Sequence, residues 1–168
     1  MTKESQKLAD LLKKAQVEEA LKYAEGMKNS GLASEVLSDF GAALVKHLYD
    51  YETAEQLFKK AVSLNPKNAN AFYNMGVLYT EPALLMRNEG NLAEAEKAYL
   101  KAIKLKPDFA EAHYNLSLVY HFTGRSDEAA LEQSIVAESC EDGEIAEALK
   151  KVLSKKINRI DFEKYLLD

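Results

Sequence analysis

The sequence predicts an all-α protein made of stacked antiparallel helix pairs, and three observations support this fold class. Apolar residues recur at spacings of three and four along most of the 168 residues, which is the periodicity of amphipathic helices. A pattern of residue types returns after 34 positions, as from Ala95 to Ala129. Turn residues such as Asn65 and Pro66 separate the apolar segments. Because one short helix pair cannot bury its own apolar face, repeated pairs are expected to stack on their neighbours.

Composition and charge restrict the class of function. The chain is 47% hydrophobic and 29% charged, and its formal net charge is -5. Acidic residues occur throughout, so we expect no nucleic-acid partner, which would need a basic stripe. The sequence shows no apolar run of about 18 residues and no signal-peptide pattern, so no membrane partner is expected. The single cysteine, Cys140, excludes an internal disulfide and favours a reducing compartment, which predicts a cytoplasmic protein.

The repeated pattern is clearest between residues 71 and 107. Its members are Phe72, Gly76, Tyr79, Ala95, Tyr99, Ala102 and Pro107, with earlier equivalents at Leu37, Gly41, Leu44, Ala54, Phe58, Ala61 and Pro66 and later ones at His113, Ser117, Tyr120 and Ala129. This pattern resembles the W-x2-L-G-x2-Y…A-x3-F…P signature of the tetratricopeptide repeat (TPR) family. The resemblance covers about two-thirds of the chain. It implies a right-handed α-α superhelix, or solenoid, that serves as a scaffold or adaptor and binds proteins.

The repeats predict one domain, 1–168, with five parts. These parts are a degenerate N-terminal helix pair (1–31), a repeat (33–67), a second repeat (69–108) with a seven-residue insert at 81–87, a third repeat (110–140), and a capping helix with a tail (143–168). In the first part we expect a turn near Lys14–Gln16, although one unbroken helix is an alternative. We also expect Gly31 to end the N-terminal pair as a left-handed C-cap.

The insert and the tail are the two departures from a regular array. The distance from Ala54 to Ala95 is 41 residues instead of 34, and we expect the insert to lengthen the first helix of its pair, with a kink near Leu78–Pro82. Pro82 beginning a fresh turn is an alternative. The tail, 160–168, is rich in large apolar residues, so we expect it to pack against the capping helix. Alternatively it occupies a groove, its own or a neighbour's, which would give weak self-association.

The resemblance also implies where a ligand would bind, because members of this family hold ligands along the first helices of their pairs. The residues at matching positions form the predicted peptide-binding groove: Asp39, Tyr73, Asn74, Val77, Tyr114, Asn115, Leu118 and His121. Asp39, Asn74 and Asn115 occupy equivalent positions, so we expect a polar ladder. An asparagine amide both donates to and accepts from a peptide backbone. The alternative is that these tyrosines and asparagines only stabilise neighbouring repeats.

Some members of the family bind the acidic C-terminal tail of heat-shock chaperones through lysines, an arginine and asparagines. This sequence keeps the asparagines but has Ser38, Ala42 and Glu111 at positions that would need cations. A carboxylate would therefore lack charge-assisted partners and would be repelled by Asp39 and Glu111. We expect a protein or peptide ligand that is neutral, apolar or mildly basic, and not an acidic chaperone tail.

Enzyme and metal functions have little support in the sequence. His113 and His121 are eight residues apart, about 12 Å along a helix, which is too far to share a metal ion. We expect His113 to be a partly buried packing residue and Cys140 to be an inert thiol. The predictions are therefore no catalytic residue, no metal and no cofactor, in a non-enzymatic protein-interaction module. The rival hypotheses are an architectural subunit that binds through its outer face and insert, and a small hydrolase or transferase.

Overall fold

The computed structural model describes residues 2–86 and 89–139, and these residues form eight α-helices without a β-strand. The helices are α1 (Lys3–Lys13), α2 (Val17–Glu25), α3 (Ser30–Leu48), α4 (Tyr51–Leu64), α5 (Ala69–Met86), α6 (Glu89–Leu105), α7 (Ala110–Phe122) and α8 (Ser126–Ser139). The prediction of an all-α fold is confirmed. The capping helix expected from residue 143, the tail 160–168 and Cys140 lie outside the described residues, and the handedness of the superhelix stays a prediction.

Side-chain caps fix where helices begin. Asn29 Oδ1 accepts a hydrogen bond of 2.9 Å from the backbone N–H of Leu32, and Asp50 Oδ1 accepts one of 3.1 Å from that of Thr53. Each bond satisfies one of the backbone donors that lack a partner in the first turn. The predicted left-handed C-cap at Gly31 is wrong. Asn29 is the N-cap of α3, so the helix begins at Ser30 and Gly31 lies in its first turn.

The N-terminal segment forms two helices, so the alternative of one unbroken helix is wrong. The helix α1 ends at Lys13, and α2 begins at Val17. Leu8 and Leu12 on α1 are buried, as are Ala20 and Ala24 on α2. These side chains join the core formed by α3 and α4, so the degenerate pair packs like a repeat despite its divergent sequence.

The insert lengthens the first helix of its pair. The helix α5 runs without a break from Ala69 to Met86, so its last six residues belong to the insert. Pro82 therefore lies within this helix and does not begin a new one. The helical extension expected from the sequence is confirmed, while the expected kink stays a prediction.

The helices belong to two compact units, Met1–Pro107 and Asp108–Asp168. In the first unit, α1 to α6 form three antiparallel pairs, and each pair packs on the next through residues such as Leu37 and Leu57, which are fully buried. In the second unit, α7 packs on α8 around Leu116 and Val119. Division into such units is typical of repeat proteins, in which each repeat contacts only its neighbours.

Each full pair of the first unit has a glycine on its first helix that lies against an aromatic ring on its second helix. A Cβ atom added to Gly41 would lie 2.6 Å from Cε1 of Phe58. A Cβ added to Gly76 would lie 2.7 Å from Cζ of Tyr99 and closer still to other ring atoms. Both rings are fully buried. Glycine at these positions therefore permits a helix separation that any side chain would obstruct.

The second unit uses a polar pair at the equivalent positions. Ser117 takes the place of the glycine and Gln133 that of the aromatic ring, with Gln133 Nε2 donating to Ser117 Oγ over 3.3 Å. Ser117 is fully buried, so this bond satisfies a hydroxyl that has lost contact with water. The same contact between helices is thus made in two chemical ways within one chain.

Gly76→Ala should destabilise the protein by about 1–3 kcal/mol, because the added methyl group forces Tyr99 or the helix backbone to move. The matched control is Gly26→Ala, since Gly26 has a negative φ that alanine also adopts, and a Cβ there would approach no atom closer than 3.6 Å. Urea unfolding followed by circular dichroism measures both variants. Equal stability of Gly76→Ala and Gly26→Ala would show that the helices are not closely packed at Gly76.

The glycine–aromatic contact and the serine–glutamine contact should each require both of their own residues. Gln133→Phe alone should destabilise the second unit, because the ring would meet the Ser117 side chain. Ser117→Gly added to it should recover stability by recreating the Gly41–Phe58 contact. We expect a coupling free energy of about 1 kcal/mol or more in the double-mutant cycle. Thermal unfolding of the four proteins tests this, and strictly additive effects would contradict it.

Candidate binding surface

The first unit contributes four of the predicted groove residues. Asp39 is exposed on α3, and Tyr73, Asn74 and Val77 are half-buried on α5. Asn74 Nδ2 donates a hydrogen bond of 3.0 Å to Oγ of Ser38, which is buried. This bond joins the first helices of two consecutive pairs, and it fixes the orientation of an amide that also reaches the surface.

The expected polar ladder begins differently from the prediction. Asn74 forms its hydrogen bond with Ser38 and not with the next residue, Asp39. The carbonyl oxygen of Asn74 is bound by no other described residue, so it remains an acceptor. Asn115 belongs to the second unit, where it is half-buried and has contacts of its own.

A second polar link between the same helix pairs was not anticipated from the sequence. Asn68 Nδ2 donates to Ser34 Oγ over 2.8 Å, and Ser34 Oγ donates in turn to the carbonyl oxygen of Ala61 over 2.8 Å. Asn68 Oδ1 accepts from the N–H of Ala71 over 3.1 Å and so caps α5. The available signal was the pair of serines, Ser34 and Ser38, four residues apart on an otherwise apolar helix face.

Tyr73 is partly a packing residue. Its ring lies 6.0 Å from that of Tyr99, centroid to centroid, at an interplanar angle of 51°. The Tyr99 hydroxyl lies 3.1 Å from Thr80 Oγ1, which donates to the carbonyl oxygen of Gly76 over 2.8 Å. The half-buried Tyr73 ring thus covers the closely packed Gly76–Tyr99 contact and leaves only part of its surface for a ligand.

Tyr79, another residue of the repeated pattern, has a structural role. Its hydroxyl donates to Glu55 Oε1 over 2.7 Å and links α5 to α4. Burial, followed by this bond to a carboxylate, raises the pKa of Tyr79 above its ordinary value. The bond from Tyr79, together with Lys59, lowers the pKa of Glu55. The link is therefore a charge-assisted hydrogen bond between neighbouring pairs.

Asp39 lies on the exposed part of α3. It forms no hydrogen bond or ion pair with any described residue. Partial burial alone raises the pKa of Asp39 above the ordinary value of 3.8. The residues one turn away on α3 are Glu35, Val36, Ala42 and Ala43, none of which is a cation. Partial shielding from water without a partner disfavours the charged form of this carboxylate.

The second unit holds the other four predicted residues, and they differ widely in exposure. Tyr114 is 40% exposed, whereas Leu118 is only 8% exposed. Asn115 and His121 are half-buried, and the His121 ring lies 6.1 Å from that of Phe122. Leu118 therefore has little surface for a ligand, because α7 is buried on several sides between residues 116 and 120. Tyr114 is the most accessible member of this set.

His113 occupies the large packing position of the repeat and is buried, as expected. Its Nδ1 lies 2.5 Å from Oε2 of Glu132 on α8, and both side chains are largely buried. Glu132 is 19 residues away on α8, and its role was not anticipated from the sequence. This contact connects α7 to α8.

Two further features concern only the part of the chain that the structure describes. Within it, no helix is both long and apolar enough to cross a bilayer. The same residues include no cluster of three or more histidine, cysteine, aspartate or glutamate side chains placed to hold a metal ion.

Consecutive antiparallel pairs with repeated interhelical contacts define an α-helical repeat protein. Residues 50–81 and 85–124 match the family model described as TPR repeat. These two segments are therefore similar to tetratricopeptide repeats, the family that the sequence pattern resembles. No curated protein matches the sequence.

Three solved structures show the extent of the similarity in fold. The TPR domain of Arabidopsis OM64 aligns with a TM-score of 0.63 and 22% identity, covering 77% of this chain and all of that domain. MamA aligns with a TM-score of 0.58 and 22% identity over 80% of this chain and 77% of its own. YrrB, described as a TPR protein with an unusual peptide-binding site, aligns with a TM-score of 0.56 and 25% identity over 84% of this chain and 69% of its own.

Replacing Asp39 by asparagine should stabilise the protein at neutral pH. Because the pKa of Asp39 is raised in the folded state, its charged form opposes folding. This opposition is absent below the unfolded pKa, near 3.8, grows as the pH rises through the folded pKa, and is complete at pH 7. The gain from Asp39→Asn should therefore be largest near pH 7 and should shrink towards pH 4.

Urea unfolding at pH 7, 5.5 and 4 measures this dependence. Glu18→Gln is the control, since Glu18 is exposed in the first turn of α2, where negative charge is favourable. Its removal should not stabilise the protein. A gain for Asp39→Asn that is the same at every pH would show that the charge of Asp39 is not responsible.

Proposed function

We propose that this protein is a non-enzymatic interaction module that binds a short segment of another protein along the first helices of its pairs. In the first unit the proposed contacts are Asp39, Tyr73, Asn74 and Val77, and in the second unit they are Tyr114, Asn115 and His121; the buried Leu118 is not among them. The ligand would lie extended and would use its backbone as well as its side chains. The cytoplasmic location expected from the single cysteine belongs to this proposal.

The main support for the proposal is the hydrogen bonding of the Asn74 side chain. Its amide nitrogen is held by Ser38, while its carbonyl oxygen has no partner among the described residues. A side chain fixed in this way loses little conformational entropy when it accepts a peptide N–H. The exposed Tyr114 supports the same function, since amphipathic aromatic residues are favoured at recognition surfaces. The similarity to YrrB, described as having a peptide-binding site, agrees with this function.

A second candidate function is that of an architectural subunit which binds through the second helices. Leu100 on α6 is 44% exposed, and Leu131 on α8 is 61% exposed. Large apolar side chains with this much exposure on the opposite helices of the pairs favour a contact there. The insert at 81–87 would contribute to the same interaction.

Binding of a randomised nonapeptide pool to the immobilised protein tests the main proposal. Asn74→Ala and Tyr114→Ala should each reduce the amount of peptide retained by about ten-fold, since each removes a contact of about 1–2 kcal/mol. Tyr49→Ala is the matched control for Tyr114→Ala, because Tyr49 is 68% exposed and is the C-cap of α3, ten residues after Asp39.

Two results would contradict the main proposal. The first is that the wild-type protein retains no peptide above the level seen on a blocked surface. The second is retention that survives Asn74→Ala and Tyr114→Ala but is lost in Leu131→Ala, which would favour the second helices as the binding surface. Circular dichroism of every variant shows whether a loss reflects binding or unfolding.

A further inference from the structure

One face of α1 lines an open cavity on the surface of the first unit. This α1 cavity has a volume of about 370 Å³, and its six lining residues are Lys3, Gln6, Lys7, Asp10, Leu11 and Lys14. They follow one another at spacings of one and three, so they form a single stripe about 16 Å long on the helix. Leu11 is buried, and the other five side chains are exposed. None of the eight predicted groove residues lines the cavity, which is therefore a separate surface.

The α1 cavity is cationic although the whole chain is acidic. Its lining carries three ammonium groups and one carboxylate, a formal charge of +2, in a protein with a net charge of -5. Among the described residues, the side chains of Lys3 and Lys14 form no ion pair. The carboxylate of Asp10 already accepts a hydrogen bond of 2.9 Å from Gln6 Nε2. The lysines therefore keep donors for an anion.

The other charged groups on α1 and on the helices that pack against it, α2 and α3, leave this charge in place. The titratable groups outside the cavity on these three helices are Glu4, Lys13, Glu18, Glu19, Lys22, Tyr23, Glu25, Glu35, Asp39, Lys46 and His47. Of these, Glu19 accepts a hydrogen bond from Gln16, and Glu25 pairs with Lys60. No carboxylate in this set lines the cavity or pairs with one of its lysines. Water and salt screen exposed carboxylates that make no direct contact.

Lys7 is held in position by an aromatic ring. Its Nζ atom lies 4.6 Å from the centre of the Tyr23 ring on α2. Tyr23 is half-buried and packs against the core of the first unit, so the ring is fixed. An ammonium group attracted to a fixed ring loses less conformational entropy when it pairs with an anion. The cavity thus has one pre-positioned cation.

We propose that the α1 cavity binds an extended, acidic segment of a partner protein, whose carboxylates pair with Lys7 and Lys14. The two lysines are seven residues apart, about 10 Å along the helix. In an extended peptide, residues i and i+4 face the same way and lie about 13 Å apart, within reach of flexible lysine side chains. Asp10 lies between the lysines, so the residue midway between the two carboxylates should be uncharged. This site goes beyond the proposed function and does not depend on it.

The composition of the lining favours a protein segment over an anionic membrane. A helix that lies on a lipid surface presents apolar side chains next to its lysines. The apolar residue of this lining, Leu11, is buried, and Asp10 would face the lipid phosphates. A segment with two separated carboxylates avoids both difficulties.

The test uses three pools of synthetic nonapeptides that are randomised among uncharged residues except at fixed positions. The first pool has glutamate at peptide positions three and seven, and the second has glutamine there. The third has glutamate at positions three, five and seven. Each pool is passed over the immobilised full chain, and retained peptide is quantified by mass spectrometry. The wild-type protein should retain the first pool about five-fold more than the second. It should retain the third pool less than the first, because the central glutamate would meet Asp10.

The double variant Lys7→Gln/Lys14→Gln should abolish the preference for the first pool. The matched control is Lys13→Gln/Lys28→Gln, which removes the same charge from two exposed lysines outside the cavity. It should keep the preference. Lys13 is on the same helix as Lys7, so this comparison separates the cavity from net charge. Circular dichroism confirms that both variants are folded.

Two substitutions test the position of Lys7. Tyr23→Leu should reduce the preference about two-fold, because it removes the ring under the ammonium group. Tyr23→Phe should keep the wild-type preference, since the attraction depends on the ring and not on the hydroxyl. The same reduction in both variants would show that the ring does not position Lys7 for binding.

The other outcomes are also decisive. Equal retention of the three pools would overturn the proposal, and so would a preference that persists in Lys7→Gln/Lys14→Gln. Loss of the preference in Lys13→Gln/Lys28→Gln would attribute it to net charge. Asn74→Ala should leave the preference unchanged, so its loss there would place the acidic segment in the groove instead. If vesicles containing phosphatidylserine bind the protein through Lys7 and Lys14 while the pools are not distinguished, the site is for lipid and the proposal is wrong.

Discussion

In the two full pairs of the first unit, the separation of the helices is set by a glycine that faces an aromatic ring. Gly41 lies against Phe58 and Gly76 against Tyr99, with no room for a methyl group between them. The remaining contacts adapt to this spacing, because a closely packed interior allows few other positions for the helices. The first helices are thereby held firmly on one side, while Asp39 on α3 stays exposed to solvent on another. A surface for recognition is supported by a rigid element.

The bonds between consecutive pairs serve stacking and recognition together. Ser34 binds Asn68 in the interior, and Ser38 binds Asn74 at the edge of the surface. The inner bond is fully enclosed and contributes to stacking alone. The outer bond orients an amide whose other end remains free. A ligand that uses Asn74 would therefore bind best when the two pairs are correctly stacked, so that binding and array stability are linked.

The repeat pattern predicted the helix pairs, and the structure adds the reason why a glycine recurs within the first helices, where it costs helix stability. Sequence reasoning failed at Gly31, where the capping preference of Asn29 overrode the turn signal. It also missed the Ser38–Asn74 bond, since partner choice depends on how α3 and α5 are rotated. The burial of Leu118 was not predicted, because the sequence pattern of an apolar residue is the same for a ligand contact and for a core position. The identity of the ligand could not be predicted, because binding depends on the relative positions of side chains on several helices.

The contact between Gly76 and Tyr99 has a spectroscopic consequence. A glycine has two α-protons, and here one of them takes the direction that a side chain would occupy, towards the ring. The other faces away from the ring, so the ring current of the aromatic side chain shifts the resonances of the two protons by different amounts. Gly41 and Phe58 provide the same arrangement in the preceding pair. The difference in chemical shift between the two protons thus reports the integrity of each helix pair separately, without a label or a substitution.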